Sequence, residues 1–333
     1  MIPITRAITL SNYVKTLRQI GAPVDTGLRK ARLPTLYEEL PRAWLPYANV
    51  RKFIANMASA EGIPDLGFRT LSNNFDQVFV RSFSEPVLSA PTLNLALERL
   101  PVFTRQQTTN ISNWTEVSGA NARACLLLPL LSKEVPGYEL YETRTLKLME
   151  FIIRHYAGAN FLPTAIWLAS SRKDLHFNIE RAYPGIPVLT SKPYGAVEFP
   201  AKLLRTLNPG DPKPLATFSG LVDTPQSAKE SNILKLVLPA YLRDHTPKIS
   251  LGADITRQSA RTLQRKLQQE KTSFRRIVDD VRCRVAIDYL TNTMKPPSLI
   301  ASLLGYSDET AFIRAFKRWT AHTPGEYRGY LSD

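Results

Sequence analysis

The sequence predicts two domains of different fold class, an α+β domain followed by an all-α domain. Short strand-like segments are interleaved with helical periods in the first 207 of the 333 residues. Residues 208–231 are rich in Pro, Gly, Ser, Asp and Lys, as interdomain linkers are. From residue 232 onward only helical periods remain. The predicted boundaries are therefore 1–207 for the α+β domain, 208–231 for the linker and 232–333 for the helical domain.

The elements of the N-terminal domain are predicted from the spacing of its apolar residues. Helices are expected over about 10–20, 46–61, 92–100 and 138–156, the third ending before Pro101. Strands are expected over 114–117 and 123–128, which form a hairpin, and over 164–169 and 196–199. The proline-rich segment between the last two strands is expected to be irregular.

The chain is strongly basic, and its positive charge is concentrated near the C-terminus. The formal net charge is +14, and residues 235–333 contain 17 Lys and Arg against 10 Asp and Glu. The other 234 residues carry the same excess of +7, so the last 99 are more than twice as densely positive. This distribution favours an anionic partner, with nucleic acid ahead of a membrane surface.

The composition disfavours several classes of protein. No apolar run approaches the ~20 residues of a membrane helix, and residues 1–10 lack the core of a signal peptide. We therefore expect a cytoplasmic protein without membrane association. The two cysteines, Cys125 and Cys283, and the four histidines lack the spacing of a disulfide framework or of metal ligands. We expect neither a metal nor any other cofactor.

The clearest motif is a helix-turn-helix pattern in residues 298–319. A short helix over 298–304 is followed by Gly305, at a turn that requires positive φ. Either of the next two polar residues can cap a second helix that runs from 309 to 319. The apolar face of this second helix is expected to be core and consists of Phe312, Phe316 and Trp319. Its candidate DNA contacts are Ser307, Thr310, Arg314, Lys317 and Arg318.

A similar pattern precedes it in the chain. Residues 249–256 are the candidate first helix, and Ser259 would cap a second helix over about 260–269. Polar residues recur there at i, i+3, i+4 and i+7, opposite Leu263 and Leu267. Arg and Gln are the residue types that read guanine and adenine edges in the major groove. The candidate DNA contacts are Ser259, Arg261, Gln264, Arg265 and Gln268.

Residues 300–319, continued by 323–328, closely resemble the signature of the AraC/XylS family of bacterial transcription regulators, and residues 262–274 resemble the preceding unit of that family. The resemblance implies two helix-turn-helix units. A helix, here 275–291, would hold their recognition helices about one DNA turn apart, roughly 34 Å. Arg257 departs from the family, which often has glycine at that turn, and Gly252 is also unusual. We therefore expect a shorter or looser first packing helix.

The resemblance also implies a function, namely sequence-specific regulation of transcription through double-stranded DNA and RNA polymerase. Arg261, Gln264 and Arg265 would read one groove segment, and Thr310 with Arg314 the next. Lys317 and Arg318 are expected to contact phosphate, which fixes register without reading sequence.

A weaker resemblance covers the N-terminal domain. Residues 21–24, 31–34, 53–68 and 196–204 look like the arabinose-binding-type N-terminal domain of one AraC subgroup. It implies a domain that binds a small-molecule effector of unknown identity, forms a homodimer, or does both.

Two alternatives remain open at this point. The N-terminal domain could serve dimerisation alone, which would leave a constitutive DNA-binding regulator. The chain could instead be an enzyme with a DNA-binding tail, such as an alkyl-transfer repair protein, which would need a reactive Cys125 or Cys283. The isolated cysteines and scattered histidines disfavour that reading, and we predict a protein without enzymatic activity.

Overall fold

The computed structural model describes residues 2–35, 37–70, 85–171, 173–213, 229–244 and 247–330. The chain divides into two compact units. The N-terminal unit comprises residues 3–31 and 47–224, and the C-terminal unit comprises residues 225–333 together with 1–2 and 32–46.

The described elements are named in chain order. The strands are β1 (Ile4–Arg6), β2 (Trp44–Pro46), β3 (Ser112–Ser118), β4 (Asn121–Leu127), β5 (Ala165–Trp167), β6 (Val188–Leu189) and β7 (Gly195–Pro200). The N-terminal unit contains the helices α1 (Ile8–Gln19), α2 (Val24–Lys30), α3 (Tyr47–Ala60), α4 (Leu66–Arg69), α5 (Glu85–Leu88), α6 (Leu93–Gln107), α7 (Tyr138–Ala157) and α8 (Lys173–Ala182). The C-terminal unit contains α9 (Glu230–Val237), α10 (Ile249–Thr256), α11 (Ala260–Gln269), α12 (Phe274–Asn292), α13 (Pro297–Leu303), α14 (Glu309–Thr320) and α15 (Pro324–Tyr330).

A five-stranded sheet organises the N-terminal unit, with the strand order β3-β4-β7-β5-β6. The predicted hairpin is formed by β3 and β4, with Val117 opposite Ala122. β4 and β5 both pair antiparallel with β7, whereas β6 pairs parallel with β5. The long helix α7 packs against β4 and β7. The apolar residues at this contact are fully buried because one face of the sheet and one face of the helix cover each other.

The coarse division into a sheet-containing N-terminal region and a helical C-terminal region is confirmed. The predicted helices over 10–20, 46–61 and 138–156 match α1, α3 and α7 within a few residues. The predicted end before Pro101 is wrong, because α6 continues through this proline to Gln107. Leu97, Leu100 and Phe103 are buried on both sides of Pro101, and their packing outweighs the lost backbone hydrogen bond.

The proline-rich segment between β5 and β7, which was predicted to be irregular, contains α8 and β6. In α8 the residues Leu175, Ile179 and Ala182 recur at i, i+4 and i+7, which is a helical period, and Phe177 lies outside this face and is exposed. The helix was therefore readable from the sequence, because the prolines of this segment follow α8 and do not interrupt it.

Residues 32–46 lie in the C-terminal unit, although the predicted boundary of 207 assigned them to the N-terminal domain. The Tyr241 hydroxyl donates to the carbonyl oxygen of Arg32 at 3.1 Å, and the backbone N–H of Thr35 donates to Asp244 at 3.3 Å. Arg32 also forms an ion pair with Asp254 of α10. β2 packs on α9. We call residues 32–46 the inserted segment.

The start of the predicted linker is attached to the N-terminal unit. The Asn208 amide donates to the carbonyl oxygens of Leu88 and Ala90 at 2.5 and 2.7 Å. The backbone N–H of Lys213 donates to the Ser89 carbonyl at 2.8 Å. Residues 214–228 of the predicted linker lie outside the described residues. The three-part division into 1–207, 208–231 and 232–333 stays a proposal.

Candidate nucleic-acid interface

The first helix pair, α10 and α11, turns at Arg257, which has φ of 55°. The backbone N–H of Gln258 donates to the Ala253 carbonyl at 3.0 Å and closes the end of α10. Ser259 begins α11, and its hydroxyl accepts from the backbone N–H of Thr262 at 3.1 Å, as predicted. α10 spans the predicted residues, Ile249–Thr256.

Gly252 is required by packing inside α10. A Cβ atom at this position would overlap the ring of Phe274, the first residue of α12. Leu263 of α11 approaches the same point. The glycine that departs from the family pattern therefore allows three helices to meet closely.

The outer face of α11 is polar and accessible. Leu263 and Leu267 are buried inward. The candidate contacts Ser259, Arg261, Gln264, Arg265 and Gln268 are all exposed. The structure thus brings together the five predicted residues on one solvent-facing surface, which we call the first polar face.

Lys266 of α11 has a structural partner. Its ammonium lies 2.5 Å from Glu230 Oε1 of α9, and the Gln258 amide donates to the same oxygen at 3.1 Å. Partial burial opposes ionisation of Glu230, but these hydrogen bonds outweigh it and lower its pKa to about 2. The side chain of Glu270 in turn accepts from the backbone N–H groups of Glu230 and Ser231 at 3.1 and 3.2 Å. α9 therefore holds α11 from behind the first polar face.

The second helix pair, α13 and α14, turns at Gly305, which has φ of 73°. A Cβ atom there would overlap the carbonyl oxygen of Leu242. Of the two candidate caps, Asp308 caps α14, and its Oδ1 accepts from the backbone N–H of Ala311 at 2.7 Å. This bond and the Ser307 hydroxyl at 3.0 Å lower the pKa of Asp308. The carboxylate also suits the positive end of the helix dipole.

α14 presents a second polar face. Phe312 and Phe316 are fully buried, as predicted, but Trp319 is only half-buried, so the apolar face is narrower than expected. The candidate contacts Ser307, Thr310, Arg314, Lys317 and Arg318 are all exposed. Arg318 lies 3.5 Å from Asp279 of α12 and is thereby oriented.

Two residues of α12 with structural importance were not identified from the sequence. Arg282 is 7% exposed, donates to the Leu304 carbonyl at 3.0 Å and lies 4.5 Å from the Tyr306 ring. It therefore braces the turn of the second pair. Asp280 pairs with Lys235 of α9 at 3.2 Å. The sequence did contain a signal for the bracing role of Arg282, because this arginine stands among the apolar residues of the predicted helix 275–291, where a charged side chain needs a buried partner.

A basic groove lies beside α14. It encloses about 600 Å³ and its polar wall contains Arg275, Arg282, Arg314, Arg318 and a single acidic residue, Asp279. Such a surface attracts phosphate oxygens, because guanidinium groups bind them in pairs of parallel hydrogen bonds.

The cysteines and the other candidate chemistries were also located. Burial raises the pKa of Cys125 to about 12 and also raises that of Cys283. Within the described ranges, no three His, Cys, Asp or Glu side chains come together as metal ligands. No helix in those ranges is both long enough and apolar enough to cross a bilayer.

Known proteins resemble the chain most strongly at its C-terminus. Residues 253–330 match the family described as a helix-turn-helix domain. The ornithine utilization regulator of Pseudomonas aeruginosa is 42% identical over 82 residues, which are 25% of this chain and 24% of that protein. This match thus spans about a quarter of the relative's length.

Two further similarities extend over nearly the whole chain. The HTH-type transcriptional regulator VirS of Mycobacterium tuberculosis is 25% identical over 336 residues, covering 98% of this chain and 96% of VirS. The crystal structure of the transcriptional regulator CdpR from Pseudomonas aeruginosa gives a TM-score of 0.40 at 20% identity, covering 92% of this chain and 96% of that one. The arabinose-binding character of the N-terminal domain stays a prediction. The C-terminal region of the chain is thus similar to the AraC-type helix-turn-helix domains of bacterial transcription regulators.

Proposed function

We propose that this protein is a sequence-specific regulator that binds duplex DNA through two helix-turn-helix units, with α11 and α14 as recognition helices. The observation that carries the proposal is the placement of the ten candidate side chains. All ten are exposed: eight lie on the outer faces of α11 and α14, whose opposite faces are buried, and Ser259 and Ser307 lie in the turns that lead into these helices. A rigid helix with an accessible polar face is what a major groove admits.

The two polar faces would contact different segments of the DNA. Arg261, Gln264 and Arg265 would contact base edges in one groove segment, and Thr310 with Arg314 in the next. Lys317, Arg318 and the basic groove would contact phosphate, so affinity should fall steeply with salt. The linking helix α12 would set the spacing of the two segments at about one DNA turn.

The N-terminal unit would supply control. We propose that it binds a small-molecule effector, forms a homodimer, or does both, and that the regulator acts through contacts with RNA polymerase in the bacterial cytoplasm. A constitutive regulator with a purely dimerising N-terminal unit is the main alternative. An alkyl-transfer enzyme is disfavoured, since burial raises the pKa of both thiols and removes the thiolate that such chemistry needs.

Selection of duplex DNA from a random library by the purified full-length chain tests the proposal. Arg261→Ala and Arg314→Ala would be run beside the wild type, with Arg105→Ala, an exposed arginine of α6, as a matched control. We expect one enriched motif with two blocks about a helical turn apart. Each block should be degraded by its own variant and neither by the control.

The contrary result is equally clear. Enrichment of no motif, with binding that disappears at moderate salt and that all three variants weaken alike, would mean that the basic faces hold phosphate without reading sequence.

A further inference from the structure

The N-terminal unit contains a small cavity whose wall combines buried polar groups with aliphatic ones. It encloses about 40 Å³ between β1, α1, the start of α3, the end of α6 and α7. We propose that this cavity is a binding site for a small organic carboxylate.

Buried hydroxyl and amide donors form one side of the cavity. Tyr47 and Tyr141 are 2% and 7% exposed, with ring centroids 4.7 Å apart. The Tyr141 hydroxyl has no hydrogen-bond partner among the residues that the structure describes, and the polar neighbour of the Tyr47 hydroxyl is the Asn110 amide, which opposes part of the rise in the Tyr47 pKa that burial causes. Burial raises the pKa of both phenols, so both remain protonated donors. Buried donors of native proteins are nearly always satisfied, so the unpartnered Tyr141 hydroxyl beside this cavity favours a bound acceptor there.

The Asn110 amide has a fixed orientation. Its Oδ1 accepts from the backbone N–H of Leu130 at 2.7 Å, so its NH₂ group is the end that acts on the Tyr47 hydroxyl. The cavity wall therefore offers donors, as a ligand with acceptor oxygens requires.

Arg144 gives the wall a positive charge. Its side chain lies on α7, is 8% exposed and lines the cavity. Its charge acts on the buried phenol of Tyr141, where it offsets part of the rise in pKa that burial causes. The described lining includes no Asp or Glu. A guanidinium in a partly apolar environment pairs best with a planar carboxylate.

The opposite side of the cavity limits the rest of the ligand. Leu128 and Leu148 line it and suit a short alkyl group. A volume of 40 Å³ holds about three water-sized groups, so the smallest monocarboxylate, with about two carbons, comes nearest to filling it, and each added carbon needs the side chains to move further. A sugar or a long-chain acid would need the walls to move.

The regulatory meaning of this site rests on the proposed effector control. Tyr47 is the first residue of α3 and directly follows the inserted segment 32–46, which belongs to the C-terminal unit. A ligand that fixes Tyr47 therefore acts one peptide bond away from the unit that contains α11 and α14.

Calorimetric titration of the full-length chain, dialysed free of organic acids, tests the site. The probes are acetate, propionate and butyrate, each with its neutral amide as control. We expect saturable binding of at least one acid at one site per chain, with the matching amide at least about tenfold weaker because it lacks the charge that Arg144 recognises. If none of the three acids binds at about 10 mM, roughly tenfold above the concentration of a typical millimolar metabolite, the proposal is overturned.

Variants locate the site. Tyr47→Phe and Tyr141→Phe each remove one donor at constant shape and should weaken the acid about tenfold or more. Tyr138→Phe is the matched control, because the Tyr138 hydroxyl is also buried without a partner in the described residues but lies outside the cavity lining. Equal weakening by all three variants, or equal affinity for acid and amide, would also overturn the proposal.

DNA selection run in parallel keeps the two proposals apart. Acid binding that leaves DNA affinity unchanged supports the carboxylate site and contradicts effector control through it. Absence of acid binding, together with an enriched DNA motif, contradicts the carboxylate site and supports the DNA-binding regulator.

Discussion

The two helix pairs of the C-terminal unit make the same left-handed turn with different residues. Arg257 and Gly305 have φ of 55° and 73°. Arg257 is exposed, so its side chain extends into solvent and only the modest cost of the left-handed conformation remains. At Gly305 the carbonyl oxygen of Leu242 occupies the place that a Cβ would take. Crowding by a neighbouring backbone, more than the dihedral angle alone, thus makes glycine necessary at the second turn.

The pairs also differ in what supports them. α11 is held through Glu230, a carboxylate of α9 that binds Lys266 and Gln258. The second turn is held by Arg282, a buried guanidinium of α12 bound to the Leu304 carbonyl. The first support depends on a carboxylate whose pKa is lowered, and the second on a guanidinium that donates to a backbone carbonyl. The same architecture therefore responds differently to substitution and to pH at its two ends.

The largest effect is expected from exchanging the turn residues. Gly305→Ala should destabilise the protein by about 2–4 kcal/mol, because the new Cβ adds left-handed strain to an overlap with Leu242. Arg257→Gly should change stability by less than about 1 kcal/mol. Urea unfolding followed by circular dichroism measures both. Equal costs at the two turns would contradict the role assigned to crowding.

Much of the C-terminal unit was predictable because its signals are local. The caps, the turn glycine and the helical spacing lie within a few residues of the structure they specify, so the elements over 249–256, 260–269 and 275–291 were placed within about one residue. The ten candidate contacts follow from the same spacing and are exposed as expected, although their contact with DNA stays a prediction.

The features that the sequence analysis missed depend on distant partners. Trp44 and Leu45 are buried in the C-terminal unit, whose other elements begin almost 200 residues later, and nothing near them in sequence marks that packing. Arg282 looked like one cation among several, because the carbonyl that it binds belongs to residue 304.

The next effect compares the two polar faces on DNA. Arg265→Ala and Arg314→Ala should each cost about 1–3 kcal/mol at the selected site and relax base preference in different blocks. If the faces read separate segments, the double variant should lose the sum of the two costs within about 0.5 kcal/mol. Fluorescence anisotropy with the selected duplex and with block-scrambled duplexes measures this. Loss of preference in the same block from both variants would contradict a double reader.

A smaller effect is expected at the caps of the two helices. Ser259→Ala and Asp308→Ala should each destabilise by about 0.5–2 kcal/mol, with the larger loss at Asp308 because its carboxylate also meets the helix dipole. Asp308→Asn keeps the acceptor and removes the charge, so it should recover most of the loss. Urea midpoints rank the three variants. A loss at Asp308→Asn as large as that at Asp308→Ala would assign the effect to charge alone.

The smallest effect appears only as a dependence on pH. The pKa of Glu230 is about 2 in the folded protein against an ordinary value of 4.5, since the bonds from Lys266 and Gln258 outweigh the effect of burial. A carboxyl whose folded pKa is lowered stabilises the fold above its unfolded pKa and loses that contribution as pH falls through the folded pKa. Wild type should therefore exceed Glu230→Gln in stability at pH 6–7.

That advantage should shrink progressively as pH falls from about 4.5 towards 2. Arg282→Met provides the contrast, because it removes a donor to the backbone carbonyl of Leu304 and no carboxylate, and its deficit should stay constant. Urea midpoints of the three proteins between pH 7 and pH 3 measure both trends. A constant gap for Glu230→Gln would mean that the carboxylate contributes through shape and neutral hydrogen bonding, and the two helix pairs would then be supported by the same kind of interaction.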